Sequence, residues 1–577
     1  MEFLLLTLIS SLFLTLEFLP YFYSLFITPA GFVSLGVTHY AYDYFYYLSH
    51  MAQTGGGHFL FSTNLHTSEP QLYTYIGWVY VLFGKLFSLF GIFQTLGYQL
   101  ASFFMMLLFL FVLYRFLLHI FSDSWIKRVG AFFLFLFSNA LITVQNGHIT
   151  FFDTWSNIGT PFIRLEMVPH HLLTQTLLIA SLLLVFTRNL HKTYASSTSE
   201  KFSPRGSNNI CIRGIPRTFH NYHLIFVVFL SFLLSTLQPL QWILMGASVG
   251  IISFLLKPSL KSLLPGILWI LAGLPSALFL RSLFQTQPYI NTMTWEAAQQ
   301  QVYSIIDYFK FNGIVAILGC IGLPLLFKKK SNILTLLLFY SFISIFLFYS
   351  PLPERFSLLN IRFLSSLPTL LFSISAIELF SFARHSLAKL LSACHCEESS
   401  TRQSFYNEDR HSANWRIAMT GPMRFSLLVI VYWILSIGSI ALLTPPLYFQ
   451  MKQRLDFDVH NAYFFLAKGA YDALVYAPKV STMDDVFLVQ WPFSAPFTGL
   501  SGRREYDSNF LATIHIQEKE PRARAFFEGK MSEEEMKSFL IESHITRIIA
   551  YPWTFPSVPP FFKELYKTDM LAIYELQ

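Results

Sequence analysis

A series of long apolar runs constrains this sequence more than any other feature. They fall at 3–27, 99–120, 129–145, 172–187, 222–237, 239–256, 263–283, 312–327, 332–350, 364–383 and 425–444. Crossing the hydrocarbon core of a bilayer takes roughly 20 apolar residues in a helix. Inside lipid every backbone N–H and C=O must be satisfied within the protein, so such runs fold as helices. Composition agrees: 54% of the 577 residues are hydrophobic and 13% are charged, about half the charged share of a soluble domain. The expected fold is mainly α, a polytopic bundle of eleven transmembrane helices. A cleaved leader is the rival reading of the first run, but Glu2 stands where a basic start is expected and no small-x-small cleavage site follows, so it is read as a span.

The run Tyr73–Phe90 is interrupted by Gly77, Gly84 and Lys85. If it does not cross, then Lys127 with Arg128, the basic loop 188–221, Lys257 with Lys261, Lys328–Lys330 and the loop 384–424 all share one side. That side is cytoplasmic by the positive-inside rule. The run is therefore expected as a juxtamembrane helix on the outer surface. The N-terminus is then cytoplasmic, and segments 28–72, 146–171, 284–311, 351–363 and everything after Leu447 are extracytoplasmic. The net charge of +7 is accounted for by topology, and no nucleic-acid partner is expected.

The chain divides into a transmembrane module at 1–447, with its outer loop at 28–98, and an extracytoplasmic α/β domain at 448–577. Two cytoplasmic inserts interrupt the module. Residues 189–221 are rich in Ser, Asn and Arg without periodicity, the mark of a disordered linker. Residues 384–424 include CHCEESSTRQSFYNEDRHSANWRIAMTG, similar to a translated bacterial intergenic repeat. Its Cys394-His395-Cys396 cluster has no matching second half, so metal binding is not expected there. The four cysteines, Cys211 and Cys320 included, form no disulfide framework. After 450, the stretch from Asp484 reads as a strand, that from Pro521 as a helix, and that from Ser532 as a helix opened by a Ser532/Glu535 capping box. Further strands start at Thr546 and Met570.

Ionisable groups gather in the outer loops, whereas the spans read as free of them. The segment HYAYDYFYYLSHMAQTGGGHFLFSTNLHTSEP, 39–70, has no Lys or Arg but holds His39, Asp43, His50, His58, His66 and Glu69. The loop VQNGHITFFDTWSNIGTPFIRLEMVPHHLL adds His148, Asp153, Arg164, Glu166, His170 and His171. Trp295 and Glu296 follow, then Glu354, Arg355 and Arg362 in PLPERFSLLNIRFL. For most of these, solvation or mutual pairing is the ordinary expectation. Asp43 is different, because it sits among five Tyr, one Phe and one Leu at a membrane boundary, where ionisation is costly without a partner. Arg164, Arg355 and Arg362 lie on the face that topology disfavours for Arg. His170 opens a span toward the outer side.

The order of these segments, an apolar first helix, then AYDYFYYLSHMAQTGGGHFLFSTNLHTSEP, then the LFGKLF helix and the PLPERF loop, resembles the GT-C superfamily of integral membrane glycosyltransferases, in a poorly characterised bacterial branch. The resemblance implies an inverting transfer of a sugar from a polyprenyl-phosphate donor in the cytoplasmic membrane to an extracytoplasmic glycan, lipid or protein acceptor. It places a catalytic carboxylate in the first outer loop, which Asp43 matches; among the other outer-loop acids, Glu69 and Glu166 are read as secondary acids. His39, Tyr42, Tyr44, Arg164, His170, Glu354, Arg355 and Arg362 are the substrate-side candidates. Tyr42 and Tyr44 flank Asp43 where two-acid versions of the motif carry a second carboxylate, which leaves a divalent cation, Mg or Mn, open as cofactor. The chemistry suits the residue types: a carboxylate can take the acceptor proton, and Arg forks suit a departing phosphate. The alternatives are a non-catalytic envelope assembly protein of the same fold, and a lipid or polysaccharide transporter or flippase. The first is distinguished by whether Asp43 and the outer Arg residues share one cavity. SGRREYDSNF, Ser501–Phe510, is a candidate acceptor contact, against the plainer reading of two solvated Arg.

Overall fold

The computed structural model describes the chain except residues 39, 56–58, 146–147, 152–166, 200–217, 301–302, 330, 357 and 405–442. Side chains at 55, 145, 148–151, 185–199, 218–224 and 387–404 are also outside the description. The fold is mainly helical. Among the described residues seven helices are long and apolar enough to cross a membrane: Glu2–Phe26, Gln94–Ile120, Pro239–Leu256, Leu260–Leu283, Ile305–Leu326, Asn332–Tyr349 and Leu367–Ser386. Shorter apolar helices cover Pro169–Leu184 and Ile225–Leu237. The protein is a multi-pass membrane protein. Of the eleven expected runs, 425–442 lies outside the described residues, and 443–454 is helical.

The expected span 129–145 is not a continuous helix. The helix Trp125–Leu136 stops, and Ile142–Gln145 pairs antiparallel with His148–Phe151. Ser138 and Asn139 break it by competing for hydrogen bonds. The Ser138 hydroxyl donates to the Phe135 carbonyl at 3.0 Å, and the Asn139 amide donates to Gln450 at 2.8 Å. The run 73–90 forms only the eleven-residue helix Trp78–Ser88, too short to cross. Helix Pro169–Ser199 runs into the first insert, where a disordered linker was expected, and Leu367–Ser404 runs into the second. The rest of both inserts lies outside the described residues.

Ion pairs collect the basic clusters at one end of the bundle. Arg128 donates two hydrogen bonds of 2.6 Å to Glu2. Lys127 and Lys329 both reach Glu378, the former at 3.1 Å. The spans are therefore not free of ionisable groups: Glu378 lies in Leu367–Ser386 and the fully buried Glu17 in Glu2–Phe26. Each carboxylate is paired, Glu17 with Arg454 at 3.1 Å, which is how a charge is tolerated at such a position.

At the other end, the first loop and the C-terminal residues share one core. Strand Phe32–Ser34 pairs with Phe465–Ala467, Phe32 opposite Ala467. Helix Ala41–Ala52 packs on helix Ser494–Ser501 so closely that a Cβ at Gly499 would lie 3.1 Å from Phe45. A mixed five-stranded sheet follows, in the order Arg504–Glu505, Val486–Val489, Arg547–Ala550, Ala572–Leu576, Phe562–Lys567, with the first three parallel. Side chains alternate across a strand. Thus Val486, Leu488 and Ile548 meet Phe526 and Phe539 on one face, while Phe487, Val489 and Ile549 meet Phe45, Leu48 and Phe497 on the other. The expected capping box is formed, Ser532 accepting from the Glu535 N–H and Glu535 from the Ser532 N–H. The hydrophobic cluster of this region thus crosses the sequence boundary at 447/448.

Gly313 interrupts the helix Ile305–Leu326 with φ 66° and ψ −157°, a conformation that is essentially confined to glycine. A Cβ there would stand 1.8 Å from the Asn139 carbonyl oxygen. Gly529 has nearly the same φ, +67°, with nothing within 4 Å. Gly529→Ala is expected to cost about 1 kcal/mol, and Gly313→Ala clearly more. Thermal unfolding of both variants in detergent, followed by size-exclusion retention, checks this; equal shifts would show that the Asn139 contact yields freely.

Candidate active site

The helix Ala41–Ala52 carries two working faces. Tyr44, Phe45 and Leu48 are buried in the core shared with Ser494–Ser501. Asp43, Tyr46, Tyr47 and His50, spaced i, i+3, i+4 and i+7, form the other face. All four line a single cavity of about 1390 Å³, larger than the roughly 300–1,000 Å³ of most ligand pockets. Apolar walls come from the spans, through Leu237, Leu240, Ile243, Leu274 and Leu278, and the outer rim from Asn509–Ala512.

Asp43 is in the first turn of its helix, where the free N–H groups favour negative charge. Protein crowds it on most sides while its carboxyl remains open to the cavity. Burial raises its pKa to about 6, against the opposing field of Arg362. Arg362 lies on the short 3-10 turn Asn360–Phe363, whose Arg362 carbonyl accepts from Gln241 at 2.6 Å. Its guanidinium pairs with Glu296, and it is 39% exposed, facing the cavity. The Glu296 charge is the main reason that Arg362 is held above its ordinary value. Arg281, in the last turn of its span, and Arg454 also line the cavity. Arg454 is anchored on Glu17; Arg281 has no ion-pair partner among the described residues.

Aromatic rings set the depth of the site. Tyr47 stacks on Tyr80 with centroids 4.5 Å apart and planes within 7°, and Tyr80 lies parallel to Tyr98 at 6.0 Å. The Tyr80 hydroxyl and His170 Nδ1 share a 2.6 Å hydrogen bond. His50 Nδ1 meets the Ser62 hydroxyl at 2.7 Å, and burial lowers its pKa to about 4, so the ring is neutral.

Of the site candidates read from the sequence, Asp43, His170 and Arg362 come together on this cavity, joined by His50, Trp295 and Glu296 from the same outer segments. Tyr42 bonds Tyr463 at 3.1 Å beside the rim, and Tyr44 donates to the Leu35 carbonyl at 2.7 Å inside the core. Glu69 is away from the cavity lining and pairs with Lys519 at 2.7 Å, fastening the first loop to the C-terminal region. Glu354 and Arg355 are exposed on the short helix Leu352–Arg355 and do not line the cavity. His39, Arg164 and Glu166 lie outside the described residues. Within Ser501–Phe510, Asn509 and Phe510 line the cavity, whereas Arg503 is tied to Ser481 at 3.0 Å. Sequence reading missed Arg281 and Arg454. Arg281 carries the same signal as Arg362, a cation on the disfavoured face, whereas nothing in the sequence links Arg454 to Glu17.

Among the described residues no three His, Cys, Asp or Glu side chains are grouped to hold a metal ion. No protein-family model matches the sequence, and no curated protein matches it. Solved structures similar to the chain include the oligosaccharyltransferase of Archaeoglobus fulgidus in the apo form, with TM-score 0.48, 11% identity, and 95% of this chain and 69% of that one covered. A second structure from that organism, oligosaccharyltransferase AglB with an inhibitory peptide and a dolichol-phosphate, gives TM-score 0.48 and 10% identity with the same coverage. ArnT from Cupriavidus metallidurans in the apo state gives TM-score 0.42 and 12% identity, covering 98% of this chain and 97% of that one. At these values the activity has to be argued from the site itself.

Proposed function

We propose that the protein is an inverting GT-C-type glycosyltransferase, moving a sugar from a polyprenyl-phosphate donor to an extracytoplasmic acceptor at a bacterial cytoplasmic membrane. The observation that carries this reading is the convergence of one open carboxylate, Asp43, and the guanidinium groups of Arg362 and Arg281 on one cavity whose walls run down between apolar helices. A scaffold of the same fold has no need of that convergence.

Asp43 takes the proton of an acceptor hydroxyl, whose oxygen bonds to the anomeric carbon. The bond from that carbon to the phosphate oxygen breaks from the opposite face, and the phosphate leaves with the electron pair. Arg281 and Arg362 receive the charge that grows on it, with planar donors suited to phosphate oxygens. The apolar walls hold the isoprenoid chain, and the Tyr47–Tyr80 stack excludes water beneath the sugar. Among the described residues Asp43 is the one carboxylate lining the cavity that is not already committed to an Arg, and these residues do not assemble the donor set of a divalent cation.

Asp43→Asn should lower transfer from a polyprenyl-phosphate-linked sugar by about 10²–10⁴-fold, the usual contribution of a positioned base, while melting as the wild type does; wild-type turnover would reject the assignment. The base acts unprotonated, so kcat/KM should fall as pH drops through about 6 and level off above it. Asp43→Glu should keep that limb, whereas residual activity of Asp43→Asn should lack it. Arg281→Gln should slow transfer with little change in stability, whereas Arg362→Gln, which strips Glu296 of its partner, should both slow transfer and lower the melting temperature. Thermal melts alongside initial rates separate the two.

A further inference from the structure

Two loops leave the C-terminal ends of the adjacent parallel strands Val486–Val489 and Arg547–Ala550, the side on which open α/β sheets take ligands. No charged residue occurs from Val486 to Gly502 or from Ile548 to Phe562. Both loops present indoles to the outside, Trp491 at 72% and Trp553 at 61% exposure. Trp553 stacks on Tyr551 at 4.8 Å with planes 14° apart, and Tyr551 meets Phe493 at 5.3 Å.

The loops are fixed rather than loose. Gln490 accepts from the Tyr551 N–H at 3.0 Å and from the Thr554 hydroxyl at 2.8 Å, and its own N–H donates to the Ile549 carbonyl at 2.9 Å. Holding two large apolar rings in water by a hydrogen-bonded frame lowers the ordering cost of a ligand that covers them. A path of rings leads from here to the cavity. The Trp491 indole lies near Tyr463, Tyr463 bonds Tyr42, and the Tyr42 ring meets Phe510 at 5.9 Å and Tyr40 at 6.3 Å. Tyr40 and Phe510 line the cavity that holds Asp43.

We propose that Trp491 and Trp553 form a platform for a neutral glycan acceptor, led along Tyr463 and Tyr42 to Asp43; this deepens the transferase reading and rests on it for the word acceptor. Flat rings interleaved with hydroxyl and amide groups suit sugar rings, which offer C–H faces and hydroxyl edges together. The absence of charge leaves an anionic or cationic ligand without a counterpart.

The test uses the full-length protein in nanodiscs with maltohexaose, cellohexaose and chitotetraose as probes, read by saturation-transfer NMR and titration. At least one probe should bind, Trp491→Ala and Trp553→Ala should each weaken it about tenfold, Trp491→Phe should restore most of the affinity, and Asp43→Asn should bind as wild type. In transfer assays the two alanine variants should raise the acceptor KM and leave that of the donor. Failure of all three probes to bind, or binding indifferent to both alanine variants, overturns the platform. So does quenching by brominated lipid that disappears in Trp491→Ala and Trp553→Ala, which would place these rings in the membrane. Transfer that survives in Asp43→Asn removes the catalytic reading, whereas ring-dependent binding in the same variant still upholds a glycan platform.

Discussion

The packing of one twelve-residue helix on the C-terminal region underlies the whole candidate site. Because Phe45 and Leu48 press against Gly499, the opposite face of Ala41–Ala52 has to turn Asp43, Tyr46, Tyr47 and His50 into the cavity. A helix repeats every 3.6 residues, so the direction of Asp43 is set by side chains that take no part in chemistry. The same packing explains why strand Phe32–Ser34 is stitched to Phe465–Ala467 and why Lys519 reaches back to Glu69, Thr67 and Ser68. Each of these contacts fixes the entry or exit of the loop that carries the helix.

Charge is distributed with equal economy. At one end of the bundle Glu2 and Glu378 gather Arg128, Lys127 and Lys329. Between the ends, Glu17 commits itself to Arg454. At the cavity, Glu296 holds Arg362 without covering it. A buried ion pair often adds little net stability, because desolvation offsets attraction, but it fixes direction. Arg362 is a cation whose side chain is already aimed before any anion arrives, and such preorganisation is what electrostatic stabilisation of a leaving group requires.

Much of this was legible in the sequence, and the misses have physical causes. Long apolar runs are strong signals, so most helices were placed, as were the capped helix at Ser532 and the strands near 486, 547 and 572. The run 129–145 misled because hydropathy averages over Ser138 and Asn139, whose hydrogen bonds end the helix. At the site, Asp43 stood out for its uncharged aromatic surroundings and Arg362 for its side of the membrane. Glu69 carried the same ionisable signal but is spent on Lys519, and sequence alone does not show which acids are already paired. Tyr44 neighbours Asp43 in the chain yet lies on the other face of the helix, a difference that a list of adjacent residues conceals. Glu17 was passed over because one carboxylate hardly alters the hydropathy of its span, and its partner lies far along the chain.

The amide of Asn64 bonds the Ala512 carbonyl across 448 positions of sequence, and the rim of the cavity is closed by that late segment. During synthesis Asp43 leaves the ribosome long before the surface around Gly499 that orients its helix. Contacts of such separation are slow to form, so the pocket stays unassembled until that later segment is made. Any ligand of the cavity therefore has no site to enter until that later segment has folded against the first loop.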